Sequence, residues 1–479
     1  MNTIISNPDP LAAATSVAEN FSQLPLSAGM LATLQQLEYL SMTPIQAASL
    51  PITLAGHDLI AQAKTGSGKT AAYALTLLNN LIPRHFAVQT LVLCPSRELA
   101  EQVSQEIRRL ARQVDNIKIL AVCGGTPLRT QVDSLAHGVH IVVGTPGRIM
   151  DHLSRGTLKL EALNTLVLDE ADRMLDMGFY ADIASVAKQC PNGRQTLLFS
   201  ATYPEGIAQL AAQFLRNPQT VTLDEQHEES KIRQRFYEVK EAERLKAVGL
   251  LLKHYRPLST LVFCNTKQQC KALLEYLQAQ GFNALTLHGD LEQRDRDQVL
   301  IRFANRSCSV LVATDVAARG LDISQLEAVI NVEITPDPEI HVHRIGRTGR
   351  ADENGWALSL VSPAERRRVA DIAEFSHLEP EWHSLGALQN TQNTPLVPPM
   401  LTVIILAGKK DKIRPGDVLG ALAGEAGLSS EQVGKINVTE QTTFVAIQRD
   451  IAREAVRKLV AGKLKGKAVK AWILKDGIV

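Results

Sequence analysis

Short runs of apolar and β-branched residues alternate along the chain with longer segments in which apolar positions recur every three or four residues. In the first half, strand-like runs fall at 58–61, 90–94, 118–122, 140–143, 165–168 and 195–199. The segments between them have helical spacing. Within 97–114, for instance, Leu99, Val103, Ile107, Leu110 and Val114 share one face with charges opposite, the pattern of a helix that covers a sheet. Strands alternating with such helices predict a parallel sheet. An acidic, weakly periodic stretch at 224–230 interrupts the series, and a second begins with strand-like runs at 260–264, 284–287, 309–313, 328–332 and 356–361. The stretch 388–399 is rich in Asn, Gln, Thr and Pro and reads as a linker. Beyond it, runs at 401–406, 434–438, 443–447 and 468–474 with intervening helical patterns give a βαββαβ order. The expected organisation is therefore a flexible N-terminus (1–20), an α/β lobe (21–220), a second α/β lobe (221–380), a linker (381–399) and an α+β domain (400–479).

With 479 residues and 45% hydrophobic content, the chain is too long for one core and too apolar to be mostly disordered. It has no run of 18 apolar residues, and its first 20 residues carry neither a basic n-region nor an apolar h-region. A cytoplasmic protein is expected. The six cysteines lie in apolar runs without CxxC spacing, which predicts buried free thiols rather than disulfides or zinc ligands. A whole-chain charge of +1 conceals an asymmetry: residues 398–479 hold 14 Lys+Arg against 8 Asp+Glu, a net of +6, which leaves −5 for residues 1–397. On charge alone the basic end is either a solvated face or a surface for a polyanion.

The run Ala63-Lys64-Thr65-Gly66-Ser67-Gly68-Lys69-Thr70 stands between a predicted strand and a predicted helix, the context of a phosphate-binding loop. Gly66 and Gly68 allow the tight winding that turns backbone N–H groups toward phosphates, Lys69 reaches their oxygens, and the Thr70 hydroxyl suits Mg²⁺. Asp169-Glu170-Ala171-Asp172 follows another predicted strand. A carboxylate there is placed to hold the metal, so Asp169 is assigned to Mg²⁺ and Glu170 to the attacking water as base.

This set resembles the DEAD-box RNA helicases, and the resemblance runs through nearly all of residues 21–375. Its carriers are Thr43-Pro44-Ile45-Gln46, Pro95-Ser96-Arg97-Glu98-Leu99-Ala100, Gly124-Gly125, Thr145-Pro146-Gly147-Arg148, Ser200-Ala201-Thr202, Ala313-Thr314-Asp315-Val316-Ala317-Ala318-Arg319-Gly320-Leu321-Asp322 and His343-Arg344-Ile345-Gly346-Arg347-Thr348-Gly349-Arg350. The resemblance implies two tandem RecA-like parallel-sheet lobes that close over ATP and single-stranded RNA. It implies that Gln46 reads the adenine and Phe21 stacks on it, that Asp322 contacts the ribose, and that Arg347 and Arg350 meet the γ-phosphate. Ser200 and Thr202 would couple hydrolysis to unwinding. Arg97, Gly125, Thr145, Arg148, Gln293, Arg296 and Thr314 would line an RNA track read through sugar and phosphate. The chain departs from the family pattern with Ser96 for Thr, Glu38 where Gly is common and His341 for a frequent Tyr.

The βαββαβ end has the order of an RNA-recognition motif without its aromatic platform, since the central strands supply only Phe444, which reads as core. Contact with RNA would then rest on Lys409, Lys410, Lys412, Arg414, Lys463, Lys465, Lys467 and Lys470. The run 408–417 resembles the tail of a bacterial member of the family, which implies a 23S ribosomal RNA hairpin as partner, a role in assembling the large ribosomal subunit from its precursor, and action as a monomer. The leading reading is an ATP-dependent enzyme that separates short RNA duplexes. An ATP-gated RNA clamp shares its motifs, and a DNA helicase is a weaker third reading.

Overall fold

The computed structural model describes residues 20–63, 66–203, 205–223, 232–318, 326–349, 355–388, 396–424 and 427–474. The chain divides into two compact units, one holding the first lobe and the other the second lobe with the C-terminal domain.

In the first unit, seven strands form one parallel sheet: β1 (Leu59–Gln62), β2 (Thr90–Leu93), β3 (Ile119–Val122), β4 (Ile141–Gly144), β5 (Thr165–Leu168), β6 (Gln195–Ser200) and β7 (Gln219–Thr222). Their order across the sheet is β3-β4-β2-β5-β6-β1-β7. The inner strands are buried and centre on apolar runs such as Leu91-Val92-Leu93 and Leu166-Val167-Leu168, because helices cover both faces and leave no wet side. The helix Lys69–Asn79 is apolar almost all round and accordingly buried, with Tyr73, Leu75 and Leu77 inaccessible.

The second unit repeats the arrangement with β8 (Ile232–Glu238), β9 (Thr260–Cys264), β10 (Ala284–Leu287), β11 (Val310–Thr314), β12 (Ala328–Asn331), β13 (Gly355–Val361) and β14 (Trp382–His383). The order β10-β11-β9-β12-β13-β8-β14 is that of the first sheet, strand for strand, and again all parallel. Strand β8 carries Arg233 and Arg235, whose guanidinium groups lie 5.5 and 4.7 Å from the centre of the Trp356 ring on neighbouring β13. That stacking lets a charged sequence occupy a sheet position. All six cysteines are buried and free.

The C-terminal domain has four antiparallel strands, β15 (Met400–Ile405), β16 (Val433–Val438), β17 (Thr443–Gln448) and β18 (Ala471–Ile473), in the order β16-β17-β15-β18. Alternate residues Leu401, Val403, Ile405, Val445 and Ile447 form a core with Val418 and Leu422 of one helix and Ala455 and Leu459 of the other. Thr402, Ile404, Phe444 and Ala446 point to the opposite face by strand parity. They too are buried. Lobe 2 meets this face: Thr402 Oγ1 lies 2.7 Å from Ser307 Oγ and accepts from Asn305 Nδ2 (3.3 Å), and Asn437 Nδ2 donates to Asn305 Oδ1 (3.3 Å). The Met400 N–H donates to the Arg306 carbonyl (3.4 Å).

This changes the picture of residues 381–399. Trp382 and His383 pair with Phe236 and Tyr237 of β8, and Leu388 packs on the lobe 2 core. At the other end, the carbonyls of Pro398 and Pro399 accept from the Arg449 side chain and N–H. Both ends are fixed, so the tail is docked on lobe 2 rather than tethered at a distance; residues 389–395 lie outside the described residues. No helix among the described residues is long and apolar enough to cross a membrane.

Candidate nucleotide site and RNA-facing strand ends

In parallel sheets functional loops gather at the carboxyl ends of the strands. Since β5, β6 and β1 are neighbours in the first sheet, Asp169-Glu170-Ala171-Asp172, Ser200-Ala201-Thr202 and the phosphate loop leave it side by side. The loop enters its helix at Gly68 with φ +96°, where an added Cβ would lie 2.6 Å from Gln46 Nε2 and 2.8 Å from Thr43 Oγ1. Only glycine fits. The Gln46 amide explains that closeness: Oε1 accepts from the Thr43 N–H (2.9 Å) and Nε2 donates to the Gly68 carbonyl (3.1 Å). Lys69 is buried, and its Nζ donates back to the Ala63 carbonyl at 2.6 Å. Thr43 Oγ1 and Ser67 Oγ are buried without a hydrogen-bond partner among the described residues, as groups awaiting a polar ligand would be. Phe21 is 3% exposed and edge-on to Tyr39 within the lobe core. Lys64 and Thr65 lie outside the described residues.

Asp169 is almost fully buried, and burial pushes its carboxyl up to about 6 against the pull of the Lys69 charge. The Tyr73 hydroxyl donates to its Oδ2 at 2.8 Å. Burial and the neighbouring carboxylate hold that phenol well above its usual range, so it remains a donor. Glu170 occupies the left-handed region (φ 51°, ψ 52°), and its Oε2 lies 3.5 Å from Arg173 Nε with both side chains buried. The last carboxylate of the motif reaches the neighbouring loop. Asp172 Oδ2 accepts from the Ala201 N–H (3.0 Å), the Thr202 N–H (3.0 Å) and the Thr202 hydroxyl (3.2 Å), while the Asp172 N–H donates to Ser200 Oγ (3.3 Å). Ser200 and Thr202 are thus tied to the acidic motif itself. Sequence reasoning missed Tyr73, Arg173 and the bridging role of Asp172. Asp172 was visible in its motif, but nothing in an apolar helix marks Tyr73 as a partner for Asp169.

At the β3-β4-β2 end of the same sheet, Arg97, Gly125, Thr145 and Arg148 come together. The Arg97 guanidinium lies over Gly124, 3.3 Å from where a Cβ would stand, and Ser96 Oγ caps its helix by accepting from the Leu99 N–H (3.2 Å). The serine that replaces threonine therefore keeps the cap. Gly125 has φ +84°. Arg148 donates to Gln131 Oε1 (3.3 Å), and Gln131 donates to the Cys123 carbonyl (2.8 Å), so one amide joins two of the loops. Thr145 heads the helix Pro146–Ser154.

In lobe 2, Thr314 ends β11, Arg296 donates to the Ala317 carbonyl (2.7 Å) and Gln293 to Asp297 (2.8 Å). Arg347 is buried in the turn after the helix Pro338–Ile345. Arg344 fixes that helix: it pairs with both Asp315 oxygens (2.7 and 2.6 Å), Asn265 Oδ1 (2.8 Å) and the Glu333 carbonyl (3.1 Å). His341 stacks on Phe236, and burial pulls its pKa down to about 4, so the ring is neutral. Asp322 and Arg350 lie outside the described residues.

In the tail, two basic segments distant in sequence meet. Lys465 Nζ donates to the Lys412 carbonyl (2.7 Å) and lies 3.4 Å from Asp417, so 463–467 joins 409–414 in one exposed patch. The Lys470 carbonyl accepts from the Leu406 N–H (2.9 Å), which sets Lys470 beside the end of β15.

Two parallel lobes of identical topology, a phosphate loop beside an acidic strand end and an appended basic domain define a nucleotide-driven motor acting on nucleic acid. Family models match as DEAD/DEAH box helicase over residues 43–210, helicase conserved C-terminal domain over 243–352 and DbpA RNA binding domain over 402–473. The chain belongs to the DEAD-box ATP-dependent RNA helicases. It is 51% identical to the ATP-dependent RNA helicase DbpA of Escherichia coli over 94% of this chain and 98% of that protein. The DEAD-box ATP-dependent RNA helicase CshA of Geobacillus kaustophilus is 38% identical over 88% of this chain and 84% of its own. Among solved structures, Saccharomyces cerevisiae Dbp5 bound to RNA and ADP BeF3 matches with a TM-score of 0.71 at 29% identity, covering 77% of this chain and 96% of that one.

Proposed function

We propose that this RNA helicase uses ATP to separate short duplexes in 23S ribosomal RNA, recruited to a hairpin there by its C-terminal domain during assembly of the large ribosomal subunit. The observation that carries the recruitment is the joining of 409–414 and 463–467 into one exposed basic patch on a domain with no catalytic motif. Whole-length similarity to DbpA supports the choice of RNA class. The enzyme acts in the cytoplasm as a monomer.

At the nucleotide site, Lys69 leaves the Ala63 carbonyl for the phosphates, Gln46 and Phe21 hold the adenine, Asp322 the ribose, and the N–H groups of residues 66–70 line the phosphate path. Glu170 takes the proton of the attacking water. Arg347 and Arg350 offset the charge that develops on the γ-phosphate. Thr70 and Asp169 present oxygen ligands of the kind Mg²⁺ takes, and a bound Mg²⁺ would neutralise phosphate charge. The bonds from Asp172 to the 200–202 loop support Ser200 and Thr202 as the route by which a change at the phosphates reaches the RNA track. Along that track, Arg97, Gly125, Thr145, Arg148, Gln293, Arg296 and Thr314 hold the backbone.

Two measurements test this reading. Strand displacement on a short duplex should require ATP; ATP-dependent RNA retention without displacement would favour a clamp. Replacing Lys463, Lys465 and Lys467 by Ala should raise the concentration of a 23S ribosomal RNA fragment needed for half-maximal ATPase far more than that of unrelated RNA. An unchanged ratio between the two RNAs overturns the recruitment.

A further inference from the structure

The C-terminal sheet presents two faces, and both are largely spoken for: helices cover one and lobe 2 meets the other. The second face is the one on which an RNA-recognition fold would stack bases, yet Ile404 and Phe444 at its centre are 3% and 5% exposed. One corner stays open. On the edge strand β18, Trp472 is opposite Ile404, and its side chain is 43% exposed. By strand parity Lys470 shares that face with Trp472, and so does Leu406, which is 47% exposed and whose N–H bonds the Lys470 carbonyl.

The chain has three tryptophans, and the other two are engaged in packing. Trp356 lies against Tyr255 and under the Arg235 guanidinium, and Trp382 lies against Phe236 and under Arg366. The Trp472 ring makes no ring-stacking or cation–π contact among the described residues. An exposed indole beside a lysine, at the rim of a domain with six excess positive charges, has the composition that unpaired bases select: a flat apolar ring for the base and a cation for the phosphate next to it.

We propose that Trp472 is an RNA-stacking residue, taking one unpaired base that flanks the duplex held by the basic patch, with Lys470 on the adjoining phosphate. The binding surface of the tail thereby lies at the edge of its sheet, because the centre is committed to lobe 2. This rests on the reading that the tail binds RNA.

The test uses the full chain and a fluorescein-labelled 23S ribosomal RNA hairpin fragment, prepared blunt-ended or with a single-stranded extension, and reads affinity by anisotropy. Trp472→Ala should weaken binding of the extended hairpin about tenfold, within the range for loss of one base–aromatic stack, and leave the blunt hairpin unchanged. Trp472→Phe should retain most of the affinity, whereas Trp472→Leu, which keeps apolar bulk without a π face, should behave as Ala. Rescue by Leu would make the residue a packing element and overturn the proposal. So would an affinity loss shared equally by both hairpins, or no loss at all. The Lys463, Lys465 and Lys467 triple variant separates the two readings. If it loses affinity while the Trp472 variants do not, stacking is wrong and tail binding stands; if neither loses affinity, both fall.

Discussion

Three single residues adopt conformations or states that ordinary side chains avoid, and each has a measurable consequence. Glu38 has φ +61°, the left-handed region in which a Cβ is penalised and glycine is not. The Gly common at this place in the family has a physical reason, and Glu38→Gly should stabilise lobe 1 by about 1 kcal/mol, seen as a higher urea midpoint. Glu170 is also left-handed, and its carboxylate is the one proposed above as base for the attacking water. Glu170→Gln should leave ATP affinity nearly intact while lowering RNA-stimulated turnover by about 10²-fold or more, measured side by side in nucleotide-binding and phosphate-release assays. His341 is held neutral with a pKa near 4 by burial, while an unfolded chain protonates it near 6.5. Between those values the unfolded state binds the extra proton, so stability contributed by the neutral ring falls as pH drops from 6.5 toward 4, with a slope of up to about 1.4 kcal/mol per pH unit. His341→Tyr should flatten that part of the profile; an unaltered slope would place the pH dependence elsewhere.

At the scale of elements, the central strands were legible because burial on both faces demands unbroken apolar runs, and 165–168 and 260–264 coincide with β5 and β9. One side of each sheet was not: three of the four residues of Gln219–Thr222 are polar and three are exposed, β8 carries two arginines and a glutamate, and β14 is two residues long. Their stability comes from neighbours, such as Trp356 under Arg235, which no local window contains. The docked face of the tail was hidden for a related reason. A continuous Val403-Ile404-Ile405 run signals burial on both sides, but a sequence does not name the second cover. The nucleotide motifs could be read whole, whereas Tyr73 and Arg173 acquire meaning only from what they touch. For the docking itself, Thr402→Val removes the hydroxyl shared by Ser307 and Asn305. Leaving those buried groups unpaired should cost about 1–3 kcal/mol and loosen the tail from lobe 2, visible as lower energy transfer between dyes on the two. Efficiency equal to wild type would mean that the apolar contacts alone hold the domain.

At the scale of the molecule, one sheet topology is used twice in the same strand order, and only one copy turns into a phosphate loop. After β1 the first sheet runs into Gly66, Gly68 and Lys69. The matching exit from β8 in the second sheet instead reaches a short turn, Glu241–Glu243, with two exposed carboxylates and no glycine. Arg244, which follows, is bound by Glu241 and Glu365 and by the Val332 carbonyl. A turn with two exposed carboxylates and no glycine lacks the cradle of N–H groups with which the glycine-rich loop would hold a triphosphate, and its charges oppose one. Duplication of the fold is therefore not expected to duplicate the fuel site, and the expected stoichiometry is one nucleotide per chain. Calorimetric titration of the intact chain with a non-hydrolysable ATP analogue should saturate at one equivalent, and Lys69→Ala should weaken that one binding event without exposing a second.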